Sequence, residues 1–261
     1  MKNCFVVGCA RSGTSILGEL IASHPDVKYI FEAHSTWEMG GLGVNDSHRL
    51  TSEYATDEVK SKIRKWFQEQ AGNEGLLVEK KPRNILRIPF VREIFPEAKI
   101  IHIIRDGRDV ACSMIPGCGG EEWNHLKPPT WRQYFDNYKG GIRCGYAWRE
   151  IVEIGLSDLQ NTDHLQIRYE DLLANPISTA EKIFQYLGLN FHDNVAAFCE
   201  RISNDTNFSY HAKNQEQWYR QNHRNRVGRW RENLTEQEQV TLTNILSPLL
   251  SRLGYPIFEE E

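Results

Sequence analysis

The residues best suited to chemistry lie near the start of the chain, in the run Gly8 to Ser15, which reads GCARSGTS. Gly8 and Gly13 can adopt backbone conformations that are closed to other residues. The apolar residues Cys4 to Val7 predict a buried strand before this run, and apolar residues at helical spacing follow it. A glycine turn that opens onto a helix presents free N–H groups and the positive end of the helix dipole. We therefore expect the turn to bind an anion.

The pattern G-x-x-x-x-G-T-S differs from a nucleotide-binding P-loop at one position, where Thr14 replaces the lysine. That lysine stabilises phosphate charge beside a magnesium ion, so its absence argues against ordinary ATP hydrolysis or phosphoryl transfer. Arg11 and the loop hydroxyls suit a smaller anionic group held without metal. These hydroxyls belong to Ser12, Thr14 and Ser15. The alternative interpretation is a glycine turn that only joins a strand to a helix.

Three separated segments resemble the nucleotide-binding blocks of sulfotransferases. They are RSGTS (Arg11 to Ser15), HPDV (His24 to Val27) and RDGRDVACSM (Arg105 to Met114). The pattern is more similar to the tyrosylprotein and heparan type than to the cytosolic phenol and steroid type, and it covers roughly residues 3 to 256. The resemblance implies that the sulfuryl donor is 3'-phosphoadenosine 5'-phosphosulfate (PAPS). The donor would leave as 3',5'-adenosine bisphosphate (PAP), with no metal involved.

Two neighbouring lysines stand where a predicted strand ends, in the segment EKKP. The resemblance implies that Lys80 stabilises the sulfuryl group during transfer. Lys81 is the adjacent alternative, and its side chain should point the other way if the strand continues. A solvated charge pair with Glu79 is the competing interpretation for both lysines.

The candidate general base is Glu32, which lies five residues after Val27. The tyrosylprotein sulfotransferase pattern has its catalytic glutamate at that offset from HPDV. Cytosolic sulfotransferases instead use a histidine just after the lysine region, and no histidine directly follows Pro82 here. His34 is therefore the second candidate for the base. A surface carboxylate without a catalytic task is the alternative for Glu32.

Arg105 and Ser113 lie eight residues apart, across a strand end and the following helix. A guanidinium fork and a hydroxyl so placed can converge on one phosphate, which by resemblance is the 3'-phosphate of PAPS. An ion pair of Arg105 with Asp106 or Asp109 is the alternative. Tyr169, in RYEDL, is similar to a family position near the nucleotide, and it could equally be a core tyrosine.

The segment Arg224 to Trp230 resembles the late basic loop that covers the 3'-phosphate and adenine in sulfotransferases. The usual Arg-Lys-Gly triplet is missing from it. Arg224 and Arg226 are the candidates for phosphate contact, and a solvated basic loop is the alternative.

The elements that must position these residues follow a repeated strand, turn and helix pattern. We therefore predict an α/β fold, with a parallel β-sheet flanked by helices in a P-loop NTPase-like three-layer sandwich. We expect one domain over residues 1–261, a mobile loop over 35–55, and one long helix from Trp131 to Val152. The predicted strands are Cys4 to Val7, Val27 to Phe31, Leu76 to Val78, Lys99 to Ile104 and His164 to Ile167. The other predicted helices contain Ile16 to Ile21, Val59 to Phe67, Pro89 to Phe95, Pro176 to Leu187 and Thr235 to Leu253.

Composition limits the possible partners. The chain has 261 residues, 40% of them hydrophobic, which is enough for one sizeable core. Its 31 basic and 35 acidic residues give a net charge of -4, so no global basic field indicates nucleic acid or an anionic membrane. The six cysteines show no C-x-x-C spacing. With no apolar run of membrane-spanning length and no room for a signal peptide, we expect a cytoplasmic enzyme of bacterial type or an excised catalytic domain.

Taken together, the residues indicate a PAPS-dependent sulfotransferase that acts by direct in-line transfer to a hydroxyl or amine. The acceptor could be a small molecule, saccharide, lipid or peptide. We expect it to contact residues 33–55 and 115–150, whose aromatic side chains include Trp37, Trp123, Trp131 and Tyr134. One alternative is a P-loop nucleotide kinase or NTPase, with Asp106 as a magnesium ligand. Another is a nucleotide-binding module without turnover.

Overall fold

The computed structural model describes residues 2–39, 46–71, 75–204 and 226–257. The strands are β1 (Lys2–Val7), β2 (Val27–Phe31), β3 (Leu76–Lys80), β4 (Lys99–Ile104) and β5 (Leu165–Arg168). The helices are α1 (Thr14–Ala22), α2 (Asp57–Ala71), α3 (Ile88–Ile94), α4 (Gly107–Cys118), α5 (Trp131–Asn137), α6 (Gly140–Leu159), α7 (Tyr169–Ala174), α8 (Pro176–Leu187), α9 (Asp193–Ser203), α10 (Trp230–Asn233) and α11 (Glu236–Arg252). Short 3-10 segments lie at Thr36–Glu38, Ser52–Tyr54 and Pro82–Arg87. Across these ranges, no helix combines the length and the apolar character needed to cross a bilayer.

The strands form one sheet in the order β2-β3-β1-β4-β5, and each neighbouring pair is parallel. β1 lies in the centre, where Val6 is opposite Lys80 on one side and Ile101 on the other. The loop after β1 therefore leaves the sheet between the carboxyl ends of β3 and β4. In open parallel sheets, ligands bind at this edge. The predicted fold class is confirmed.

Alternate residues of the strands face two separate hydrophobic layers. Phe5 and Val7 pack with apolar side chains of α2, α3, α4, α6 and α11. Cys4 and Val6 pack with side chains of α1, α8 and α9 on the other face. Burial on both faces is typical of parallel strands and accounts for their continuous apolar runs.

The predicted long helix from Trp131 to Val152 is wrong, because the chain breaks between α5 and α6. Gly140 has φ 58, a left-handed conformation that suits glycine. The buried guanidinium of Arg143 donates to four backbone carbonyls around the break. These hydrogen bonds fix the change in chain direction between the two helices. Those carbonyls belong to Tyr138, Cys118, Gly120 and Phe135.

Two further differences concern the predicted loop and the helices that the sequence analysis did not predict, which are α7, α9 and α10. Within residues 35–55, two 3-10 segments are present and Trp37 is fully buried in the core, while residues 40–45 lie outside the described residues. Trp37 is therefore not an acceptor contact, because its ring packs against Phe5 and Phe67. Helix α9 was missed, although its buried residues recur at helical spacing.

Candidate active site

A cavity of about 550 Å³ lies at the carboxyl ends of the strands. It brings together the loop after β1, the end of β2, the start of α7 and the segment around Arg226. The sequence-predicted residues that line it are Arg11, Gly13, Thr14, Ser15, Glu32, Arg105, Ser113, Tyr169 and Arg226. Residues that are far apart in sequence thus share one site.

The glycine loop has the geometry expected of an anion cradle. Gly13 precedes α1 with φ 95, and a Cβ added there would lie 2.3 Å from the ring of Tyr169. A Cβ on Gly8 would lie 2.5 Å from the carbonyl oxygen of Ile103. Both positions therefore require glycine for close approach. Because the loop ends where α1 begins, the first N–H groups of the helix open towards the cavity that Thr14 and Ser15 line.

Ser12 is the one residue from Arg11 to Ser15 that does not line the cavity. Its backbone N–H donates to the carbonyl of Cys9 at 3.1 Å, and its side chain is buried. It does not line the cavity, in contrast to the three residues that follow it. Within the expected cradle from Ser12 to Ser15, the cavity is lined by Gly13 to Ser15.

Glu32 and Lys80 form an ion pair at the cavity. The N–H of Glu32 donates to the carbonyl of Lys80 at 3.0 Å, and φ 50 at Glu32 then turns the chain away from β2. Lys80 Nζ donates to Glu32 Oε1 at 2.5 Å and lies 3.6 Å from the ring centroid of Phe31. Burial lowers the pKa of Lys80, and the charge of Glu32 opposes this shift. Glu32 lines the cavity, whereas Lys80 is buried beside it and is not among the residues that line the cavity.

The expected alternative, in which the lysines pair with Glu79 in solvent, is wrong. Glu79 is buried, where Oε1 accepts from Ala33 N at 3.2 Å and from Trp37 Nε1 at 2.7 Å. Burial raises the pKa of Glu79 to about 7. Lys81 is also buried, and its Nζ lies 3.1 Å from His34 Nδ1. Both lysines therefore contact the segment after β2, Lys80 through Glu32 and Lys81 through His34.

Arg105 is placed between the glycine loop and the late basic segment. Its Nη1 donates to the carbonyl of Arg11 at 3.2 Å, and its Nη2 donates to the carbonyl of Arg226. Its Nη2 also lies 3.5 Å from Asp109 Oδ2. Arg105 therefore makes the ion pair that was the alternative interpretation, and it also lines the cavity. Ser113 Oγ accepts from Arg11 Nε at 3.0 Å, which joins the loop to α4.

Tyr169 lies both at the cavity and in the core. It lines the cavity, and it belongs to the core cluster on the α1 face of the sheet. Its ring centroid lies 4.6 Å from the guanidinium carbon of Arg105. Burial raises the pKa of its hydroxyl to about 12.

Besides its predicted ion pair with Arg105, Asp109 has a second role that the sequence analysis did not identify. Its two carboxylate oxygens accept from Gly228 N at 2.8 Å and from Trp230 N at 3.1 Å. These bonds fix the segment that carries Arg226 against α4. Arg224, the other predicted phosphate contact, lies outside the described residues.

Asp106 does not have the position that the kinase alternative requires. It caps the N-terminus of α4 by accepting from Arg108 N at 2.9 Å. Its other oxygen pairs with Arg108 Nη2 at 2.7 Å, and Asp106 is absent from the residues that line the cavity. Its carboxylate is thus committed to the helix end and to an arginine.

The opposite wall of the cavity comes from two segments for which the sequence analysis predicted no strand or helix. His48 Nδ1 accepts from Lys127 N at 3.0 Å, and Trp123 Nε1 donates to Leu126 O at 3.0 Å. Burial, with a smaller effect of Arg11, lowers the pKa of His125 to about 3. Among the predicted acceptor aromatics, Trp123 lines the cavity and Trp131 packs behind it, with ring centroids 5.3 Å apart.

Comparisons with known proteins agree with this geometry. The model of the sulfotransferase family matches residues 4–193. Protein-tyrosine sulfotransferase A of Caenorhabditis elegans is 22% identical over 96% of this chain and 66% of its own length. Nodulation protein NoeE of Sinorhizobium fredii is 24% identical over 97% of this chain and 65% of its own length. The chain spans about two thirds of the length of these two relatives.

Solved structures share the fold at low sequence identity. The sulfotransferase domain from the curacin biosynthetic pathway is 13% identical, with a TM-score of 0.62 over 97% of each chain. Mouse sulfotransferase SULT7A1 complexed with PAP is 18% identical, with a TM-score of 0.57 over 96% of this chain and 85% of its own. The nucleotide kinase alternative finds no support in these comparisons. Because the family model covers well over half of its residues, this chain belongs to the sulfotransferase family.

Proposed function

We propose that this enzyme moves a sulfuryl group from PAPS to a hydroxyl or amine acceptor by direct in-line transfer, with Glu32 as general base. One observation carries the proposal. A single cavity joins the glycine loop, the Glu32–Lys80 pair and the Arg105–Ser113 region. Bound PAPS would supply the sulfuryl group and a phosphate leaving group.

The cavity fits a ligand that carries two separate anionic groups. One set of donors is the start of α1, with Thr14 and Ser15, and the other is the region of Arg105 and Ser113. Arg105 and Ser113 both line the cavity, so a guanidinium and a hydroxyl are placed there to bind a phosphate. A volume of about 550 Å³ is in the usual range for a site of this kind.

The chemical roles follow from the charges around the reacting centre. The Glu32 carboxylate faces the cavity and can accept the acceptor's proton. The Lys80 ammonium, 2.5 Å from that carboxylate, stabilises negative charge on the transferred group. The N–H groups at the start of α1 stabilise the charge that develops on the leaving phosphate oxygen.

The acceptor would occupy the wall beside Glu32. That wall combines apolar surface with polar groups, a mixture that suits an aromatic or aliphatic acceptor held by few hydrogen bonds. Its residues are His48, Pro82, Arg83, Trp123, His125, Leu126 and Lys127. The cytoplasmic location stays a prediction.

The test of the base is the variant Glu32→Gln, assayed with labelled PAPS against phenols, saccharides, lipid alcohols and tyrosine peptides. We expect the wild type to label at least one class, and the variant to lose about 100-fold or more in rate, as general-base removal does. Binding of PAP should be nearly unchanged. The exposed Glu53, changed to Gln, is the control. Retained transfer by Glu32→Gln would remove Glu32 from the mechanism.

A further inference from the structure

We propose that His34 and Lys81 are positioning residues for Glu32. Lys81 fixes the imidazole of His34 with its proton on Nε2, and this N–H holds the second carboxylate oxygen of Glu32. The inference rests on the proposed function of Glu32 as general base. It assigns a role to His34 and Lys81, which have none in the transfer step proposed above.

The contacts define the direction of each hydrogen bond. Lys81 Nζ lies 3.1 Å from His34 Nδ1, and an ammonium group has donors only. Nδ1 must therefore accept, which leaves the proton of the neutral ring on Nε2. His34 Nε2 lies 3.2 Å from Glu32 Oε2, so it donates to that oxygen. Glu32 Oε1 accepts from Lys80 at 2.5 Å.

The two lysines thus hold Glu32 from opposite faces of the end of β3. Consecutive residues of an extended chain point to opposite faces, so Lys80 contacts Oε1 directly and Lys81 contacts Oε2 through His34. Each carboxylate oxygen keeps a further lone pair that can take a proton. The same geometry argues against His34 as the base, because Nδ1 faces an ammonium and Nε2 already carries a proton.

Lys81 keeps its charge at neutral pH, although its surroundings lower its pKa. Burial lowers its pKa to about 8, and the charges of Glu79 and Glu32 oppose this shift. Arg83 and Arg87 act in the same direction as burial. The ammonium therefore persists at neutral pH and loses its charge as the pH rises through about 8.

Glu79 in turn is fixed relative to the segment that carries His34. It accepts from the N–H of Ala33, the residue before His34, and from the indole of Trp37. The carboxylate that favours the charged Lys81 is thus anchored to the same turn that positions the imidazole.

The direct test is the tautomer of His34, measured by long-range ¹H–¹⁵N NMR on the full chain without donor or acceptor. At pH 7 we expect the Nε2–H tautomer, with the signal assigned by its loss in His34→Gln. Lys81→Met should give a mixture or the Nδ1–H form, whereas Lys65→Met, which changes an exposed lysine of α2, should leave the signal unchanged. An Nδ1–H ring or an imidazolium in the wild type would overturn the proposal, as would an unchanged tautomer in Lys81→Met.

A second experiment, which follows the tautomer against pH, does not depend on whether Lys81→Met folds. In the wild type the Nε2–H tautomer should be lost as the pH rises through about 8, while Lys81→Arg should retain it to higher pH. A tautomer with the same pH dependence in both proteins contradicts the role of Lys81.

Activity separates this proposal from the proposed function. With labelled PAPS and 4-nitrophenol or a tyrosine peptide as probe acceptors, His34→Asn should lower kcat about ten-fold without raising KM for PAPS, because the base is misplaced. His34→Gln, whose amide nitrogen reaches the place of Nε2, should stay within a few-fold of the wild type. Equal rates for Asn and wild type would overturn the positioning role. If the wild type transfers nothing but has the expected tautomer, the proposed function fails and the geometry stands.

Discussion

Two residues at the cavity have a backbone conformation that side chains disfavour. Among the described residues other than glycine, only Arg11 and Glu32 have positive φ, 74 and 50 respectively. Such conformations cost on the order of 1–3 kcal/mol each and persist where the surrounding structure fixes them. Both residues are held by neighbours, Arg11 through Ser113 and Arg105, and Glu32 through Lys80. Strain is thus concentrated where the donor and the base would meet.

Single residues suited to binding or catalysis could be identified from the sequence, but the residues that they contact in the fold could not. Arg11 was expected to contact an anion, and its contact with Ser113 joins residues 102 positions apart. Asp109 was expected only as an ion-pair partner of Arg105, because the N–H groups of Gly228 and Trp230 that it accepts from lie far along the chain. Pairings of this kind depend on tertiary structure and leave no local pattern.

Gly13 provides a test at the residue scale. Gly13→Ala should lower the free energy of unfolding by about 1–3 kcal/mol, because φ 95 is disfavoured for alanine and the new Cβ would lie 2.3 Å from Tyr169. The matched control is Gly120→Ala, since nothing lies within 4 Å of a Cβ there. Urea denaturation measures both. If the two variants lowered the free energy of unfolding equally, Tyr169 would not be packed closely against the loop at Gly13.

At the scale of elements, the strands were more predictable than the helices. Lys99 to Ile104 matches β4, because a buried parallel strand is a continuous apolar run. Val27 to Phe31 matches β2, an edge strand that is only partly buried. The break between α5 and α6 was not predictable, because the apolar repeat continues through it. Its causes, φ 58 at Gly140 and the carbonyl contacts of Arg143, are tertiary.

The pattern Thr235-x-x-Glu238 is typical of a capping box, and the structure has one at the start of α11. The Thr235 hydroxyl accepts from Glu238 N at 3.3 Å, and the Glu238 carboxylate accepts from Thr235 N at 3.0 Å. Thr235→Ala should therefore lower the free energy of unfolding by about 1 kcal/mol.

Asn175→Ala is the control for this prediction, because Asn175 stands at the N-cap of α8 without a side-chain capping bond. Its effect should be within about 0.5 kcal/mol. Chemical denaturation compares the two variants, and a loss in Thr235→Ala no larger than that in Asn175→Ala would contradict a stabilising box.

At the scale of the molecule, the fold and the family were predictable because three short motifs occur in the right order. The central position of β1 then accounts for the site, since its loop opens between the ends of β3 and β4. The acceptor wall was less predictable, because His48 and His125 come from aperiodic segments that only the folded chain brings together. The single-domain organisation stays a prediction.

The stability of the whole chain should depend on a histidine buried in the sheet. His102 is fully buried in β4, and burial, assisted by the charge of His164, lowers its pKa from 6.5 to about 3. Below pH 6.5 the unfolded chain binds a proton at this position that the folded chain does not. Stability is therefore lost as the pH falls towards 3, by roughly 1.4 kcal/mol per pH unit for this group.

Denaturation across this pH range measures the effect. In His102→Leu the free energy of unfolding should fall less steeply with decreasing pH, and the difference in slope should correspond to about one bound proton. Above pH 7 the free energies of the two proteins should change with pH in parallel. An unchanged slope in the acid range would mean that His102 is protonated in the folded state.

The central claim is that one site binds two phosphate-type groups without a P-loop lysine and magnesium. The most direct measurement compares thermal stabilisation by PAP, by 5'-AMP and by ATP with magnesium, because a ligand of the folded state raises stability by mass action. We predict the largest shift with PAP in the absence of metal. In Arg105→Lys, which keeps the charge and loses the guanidinium fork, PAP should stabilise no more than 5'-AMP. A larger shift with ATP and magnesium, or full stabilisation of Arg105→Lys by PAP, would contradict the account.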